Sequence, residues 1–88
     1  PTNDDFGAVC NCAVRYCLGR QSYMLSLVCG YITPLLPELT DKTLNCFKRD
    51  IAERKRAGFY FIDSYDCETW NAFYKAVCNE IERRKSNG

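Results

Sequence analysis

The sequence predicts an all-α fold, a compact bundle or orthogonal array of about four helices. Three observations predict it. Apolar residues recur at three- and four-residue spacing in four stretches of the chain. Cap and breaker residues separate those stretches. The run Phe59 to Ile62 reads equally as a short strand or a packed connector, and as a strand it has no second run to pair with. With 88 residues, 47% hydrophobic and 26% charged, the chain is expected to form a single helical domain over 1–88, with no room for a second core.

The first helix is expected to start near Thr2 or Asn3, either of which can cap it. Asp4 and Asp5 then sit in the first turn, where the helix dipole favours negative charge. Phe6, Cys10, Ala13 and Cys17, with Val9 and Val14 beside them, read as its core stripe. Gly19 suits the left-handed residue that closes a helix.

Ser22 is the expected cap of the second helix, with Met24, Leu27, Val28, Tyr31, Ile32 and Leu35 as its apolar face. Gly30 and Pro34 weaken that helix, and Pro37 ends it. The expectation is an end or kink near Ile32, with Leu35 and Leu36 packing in a short turn.

Thr40 caps the third helix, and Leu44, Phe47 and Ile51 face inward at i, i+3 and i+7. Lys42, Lys48, Arg49, Arg54, Lys55 and Arg56 crowd its outer side, and Gly58 stops it. Phe59 to Ile62 is expected to be a buried connector. Asp63, Ser64 and Asp66 read as turn and cap residues before a last helix. That helix places Trp70, Phe73, Tyr74, Val77, Cys78 and Ile81 on one face, with Glu80, Glu82, Arg83, Arg84 and Lys85 toward its far end. Ser86 to Gly88 are expected to fray.

Seven cysteines and no histidine set the chemistry. Cys10, Cys12, Cys17, Cys29, Cys46, Cys67 and Cys78 include no CxxC pair, and an odd number cannot close as disulfides. They read first as small apolar thiols in a reducing cytoplasm, with a disulfide or a cysteine-rich metal site as the alternatives. Without histidine the commonest general base is missing, as are the Ser/His and Cys/His nucleophile pairs. No phosphate loop, dinucleotide glycine run or nucleophile elbow occurs. An enzyme is not expected, and no cofactor or metal is implied. Twelve basic residues against 11 acidic ones give a net charge of +1, too balanced for a general nucleic-acid coat. No apolar run approaches the roughly 18 residues that cross a bilayer, and no signal-peptide pattern is seen.

The most unusual segment is Arg15-Tyr16-Cys17-Leu18-Gly19-Arg20-Gln21-Ser22-Tyr23. Two guanidinium groups near the start of a helix make an anion site, and Tyr16 and Tyr23 offer stacking surfaces. A purely structural reading competes with this one. In it Arg15 pairs with Asp50 or Glu53 of the third helix, and Ser22 is simply a cap. Trp70 is either a core anchor or an interface residue. The basic side of the third helix reads as a solvated face, because Asp41, Asp50 and Glu53 interrupt it.

The segments Phe6-Gly7-Ala8-Val9, Arg15-Tyr16 and Gly19-Arg20-Gln21-Ser22-Tyr23, with Thr43-Leu44, Arg49-Asp50-Ile51 and Trp70, resemble a family of small proteins carried by phages and mobile elements of gut Firmicutes. The resemblance covers most of the chain through short motifs. It departs at Leu25, where the family commonly has Pro. It implies a phage or prophage accessory protein in the cytoplasm of a bacterial host. From that setting the expected function is a non-enzymatic binding protein that antagonises a bacterial defence system, docking on a defence protein or sequestering an anionic nucleotide signal. The expected contact set is Arg15, Tyr16, Arg20, Ser22 and Tyr23, with Asp50 as orienting partner and Trp70 as a wall. Three rivals stand beside it. One is a nucleic-acid-binding regulator using the basic side of helix three. Another is a small redox or metal protein. The third is a structural or assembly factor that pairs only with itself or with a phage component, with Tyr60, Phe61 and the exposed side of helix four as the place for self-association into a homo-oligomer.

Overall fold

A computed structural model of the chain describes residues 4–18, 24–56 and 64–87. Four α-helices and one 3-10 helix follow in order: α1 (Asp4–Cys17), α2 (Leu25–Ile32), the 3-10 helix η1 (Thr33–Glu38), α3 (Asp41–Arg56) and α4 (Ser64–Asn87). No strand occurs among the described residues. The all-α expectation holds. The Cα radius of gyration is 12.6 Å, against about 12 Å for a tightly packed chain of this length. No helix among the described residues is long and apolar enough to cross a membrane.

The core lies where α3 and α4 pack together and α1, α2 and η1 close over them. Phe47 of α3 meets Phe73 of α4 with ring centroids 5.6 Å apart, and Trp70 stands edge-on to Phe73 at 6.3 Å. Val14, Leu44, Phe47, Ile51, Trp70 and Val77 have no exposed surface. Leu44, Phe47 and Ile51 are the inward row that the i, i+3, i+7 spacing predicts. Thr40 is the cap expected of it: the Thr43 N–H donates to Thr40 Oγ1 at 3.3 Å.

The α2–η1 break falls at the expected place. The α-helix ends at Ile32 and a 3-10 turn takes over at Thr33. Pro34 carries no N–H to donate to the Gly30 carbonyl, which ends the α-helical ladder, and the Cys29 carbonyl accepts both the Thr33 N–H and Thr33 Oγ1, the latter at 2.7 Å. Leu36 is buried and Leu35 half-buried, the short packed turn that the two prolines imply.

The structure corrects the facing of α1 and α2. In α1 the buried row is Gly7, Cys10, Val14 and Cys17, while Phe6 is 41% and Val9 67% exposed. Gly7 explains the rotation. A Cβ placed there would lie 2.0 Å from Thr43 Oγ1, so only glycine lets α1 approach α3 along this line. In α2 the buried residues are Leu25, Cys29 and Ile32, and the expected face members Met24, Leu27 and Tyr31 point outward. With Ser26 as its one polar side chain, α2 has no charged residue to mark an outer face, so its periodicity leaves the facing open. In α4 the helix starts at Ser64, and Asp66 lies inside its first turn rather than before it. It continues through Asn87, past the expected fraying point at Ser86. The caps Thr2, Asn3 and Ser22, the glycines Gly19 and Gly58, and the connector from Phe59 to Asp63 lie outside the described residues.

Candidate functional site

Arg15 lies in the last turn of α1, on the side of that helix turned toward α3. Its Nε sits 3.3 Å from Oδ2 of Asp50 on α3. Arg49 approaches the same carboxylate from its own helix, with Nε 3.5 Å from Oδ1. The two arginine side chains are each 62% exposed, whereas the Asp50 side chain is 9% exposed. One buried carboxylate thus holds two arginines at the surface. Arg15 is near Oδ2 but not aligned as a donor, and Oδ2 accepts no hydrogen bond. A buried carboxylate left short of a hydrogen bond is energetically unfavourable, so the pair is held less tightly than a bidentate one.

Of the expected contact set, the structure brings Arg15 and Asp50 together. This is also the pairing that the purely structural reading foresees. Tyr16 is exposed, but neighbouring residues of a helix point about 100° apart, so it does not share the Arg15 face. Trp70 is fully buried beside Phe73 and forms core rather than a wall. Arg20, Ser22 and Tyr23 lie outside the described residues. Arg49 joins the site without having been expected there. The Arg49-Asp50 adjacency was its signal, since a residue next to a buried acid can fold back over it.

A second arginine cluster was not anticipated. Arg84, near the end of α4, joins three elements. Its Nε donates to Glu80 Oε2 at 2.8 Å, and its Nη1 to Asp41 Oδ1 at 2.7 Å. Its Nη2 reaches the carbonyls of Leu36, Pro37 and Leu39 at 3.0, 3.2 and 2.6 Å. Those carbonyls belong to the end of η1, where helical acceptors run out. Arg83 Nε also donates to Glu80, at 3.0 Å. The hydrogen bond from Arg83, joined by that from Arg84, outweighs burial and holds the Glu80 carboxyl down at about 2.

Clefts are found in two places among the described residues. One of about 260 Å³ runs between α3 and α4, lined by Asp41 and Arg84 of this cluster together with Asn45, Lys48, Ile81 and Lys85. The other, about 120 Å³, lies at the α1–α3 crossing beside Gly7, Asn11, Thr43 and Cys46. Asn11 Oδ1 is buried there without a hydrogen bond. Neither is lined by Arg15, Tyr16 or Asp50.

The described thiols are dispersed. Cys10, Cys17 and Cys29 are buried, Cys46 and Cys78 are half-buried, and Cys12 is exposed. Burial, and then the neighbouring Cys17, push the Cys29 thiol up to about 12, so it stays protonated and unreactive at neutral pH. Among the described residues, no three cysteine or carboxylate side chains come together as metal ligands would.

Compared with protein-family models, curated proteins and solved structures, the chain matches none.

Proposed function

We propose that this chain is a non-enzymatic binding protein of phage origin that antagonises a bacterial defence system. In this reading it recognises an anionic group on a defence protein or on a nucleotide signal. The observation that supports the reading is the Arg15–Asp50–Arg49 arrangement, two exposed arginine side chains beside one buried carboxylate. Guanidinium groups whose donors are left free bind phosphate or carboxylate through charge-assisted bonds. Arg20 and Ser22 belong to the same reading from the sequence and lie outside the described residues. The phage setting rests on the resemblance of the Arg15-to-Tyr23 segment and its companions.

The test is co-expression with a panel of phage-defence systems in a bacterial host, read as phage plaque counts. Plaques are expected to return under at least one system. They are expected to vanish again for Arg15→Ala or Arg20→Ala, with the helical circular dichroism unchanged. Failure to restore plaques under every system contradicts the reading. Native mass spectrometry of protein recovered from the host then separates the two targets, because a retained nucleotide-sized mass marks the sequestering mode.

A second reading has one observation in its favour. Lys42, Lys48, Arg49, Arg54 and Arg56 are all exposed on α3. A nucleic-acid regulator using them would bind duplex DNA with an affinity that falls steeply as salt rises. Absence of a gel shift at low salt removes it.

A further inference from the structure

The corrections to α1 and α2 share a pattern. On each helix an exposed apolar row sits beside the buried row: Phe6, Val9 and Tyr16 on α1, and Leu27 and Tyr31 on α2, with Met24 at its cap. Their exposures are 41, 67 and 57% on α1 and 40, 51 and 73% on α2. The α1 row faces away from the flank that carries Gly7 and Arg15 toward α3. The other element against which α1 packs closely is α2. Few charges lie near these rows in the sequence: residues 6–37 hold only Arg15 and Arg20 of the chain's charged side chains, and the exposed Asp5 stands one turn before Val9 on α1.

We infer that the two rows form one face on which a second copy of this chain docks, making a two-fold symmetric dimer. Area supports a second copy as the occupant. At about 200 Å² for an aromatic side chain and somewhat less for an aliphatic one, these exposed fractions amount to roughly 600 Å². That is roughly a tenth of the 5720 Å² surface, close to the share that a standard interface takes from a small partner. It also reaches the upper end of the apolar patch that a monomer ordinarily exposes, about 300–600 Å². Charge supports it as well. A face with so few charges carries little repulsion against its own copy, as an isologous contact requires. It offers nothing to an acidic or basic partner. It also lacks the lysine and arginine fringe with which an interfacial helix grips a lipid surface. Two tyrosines, a phenylalanine and a methionine are residue types that interfaces favour. The face lies on a different flank of α1 from Arg15, so each copy keeps its arginine pair exposed. The inference therefore stands or falls independently of the proposed function.

Sedimentation equilibrium of the full chain tests it, with Val9→Glu and Tyr31→Glu, one from each row. Both positions are exposed in the single chain, so both variants should keep wild-type helicity by circular dichroism. The wild type is expected to be dimeric at micromolar concentration, and each variant should weaken dimerisation at least about tenfold. A wild type that stays monomeric at about a hundred times that concentration overturns the inference. So does a dimer that both variants leave intact. Flotation of a monomeric wild type with neutral phosphatidylcholine vesicles also overturns it and gives the face to lipid.

Discussion

Two arginine–carboxylate clusters sit at different places on the same scaffold and are built in opposite ways. At the end of α4, Arg84 is 22% exposed and makes bonds to two carboxylates and three carbonyls. On the α1–α3 face, Arg15 and Arg49 are 62% exposed and share one carboxylate, of which Oδ2 accepts no hydrogen bond. The first cluster satisfies chain ends within the protein and has little left to offer a ligand. The second leaves most of its donor capacity at the surface. The number of donors already used separates a structural arginine from one available for recognition better than charge does.

The largest expected effect comes from breaking the first cluster. Arg84→Ala removes the joint between α4, η1 and the start of α3, and leaves Glu80 with Arg83 alone. The expected loss is about 2–4 kcal/mol of unfolding free energy, read by urea denaturation. Next comes the α1–α3 crossing. Gly7→Ala gains up to about 1 kcal/mol in helix propensity but forces a Cβ against Thr43, for a net loss of about 1–2 kcal/mol. Thr43→Ala in the same chain should recover part of that loss, because the clashing hydroxyl is gone. Gly7→Ala should also disturb the Arg15–Asp50 approach while leaving the Arg84 cluster intact, which sharpens the contrast.

Acid gives a third test. The Glu80 carboxyl sits at about 2 in the folded chain, below its ordinary 4.5. The charged form is therefore favoured by folding, and its contribution is complete above the ordinary value. It is lost as pH falls from about 4.5 toward 2. Stability measured across that window should decline, and Glu80→Gln should decline less steeply from a lower starting point. The smallest stability effect belongs to the second cluster. Arg15→Ala should change unfolding free energy by less than about 1 kcal/mol, because Arg15 makes no hydrogen bond to Asp50 Oδ2 and Arg49 still faces the carboxylate.

Elements whose signals are local were legible in the sequence. The Thr40 cap, the Leu44-Phe47-Ile51 row and the break near Ile32 each depend on residues within one or two turns of one another. The rotation of α1 was not legible, because the role of Gly7 is set by Thr43, which lies on another helix. Nor was the facing of α2, whose apolar residues surround the whole helix. Arg15–Asp50 was readable as a pairing of the one basic residue of α1 with an acid on α3. Arg84 was read only as part of a charged helix end. Its carbonyl acceptors lie 45 to 48 residues earlier in the chain, and carbonyls leave no mark in a sequence.

The most direct test of the contrast is a set of urea denaturation curves for the wild type, Arg84→Ala and Arg15→Ala, the last of which leaves Arg49 beside the buried Asp50 carboxylate. The expected result is a large fall in midpoint for Arg84→Ala and a small one for Arg15→Ala, with similar slopes throughout. Equal losses in the two variants, or a larger loss in Arg15→Ala, would place Arg15 among the structural residues and contradict the assignment of its face to binding.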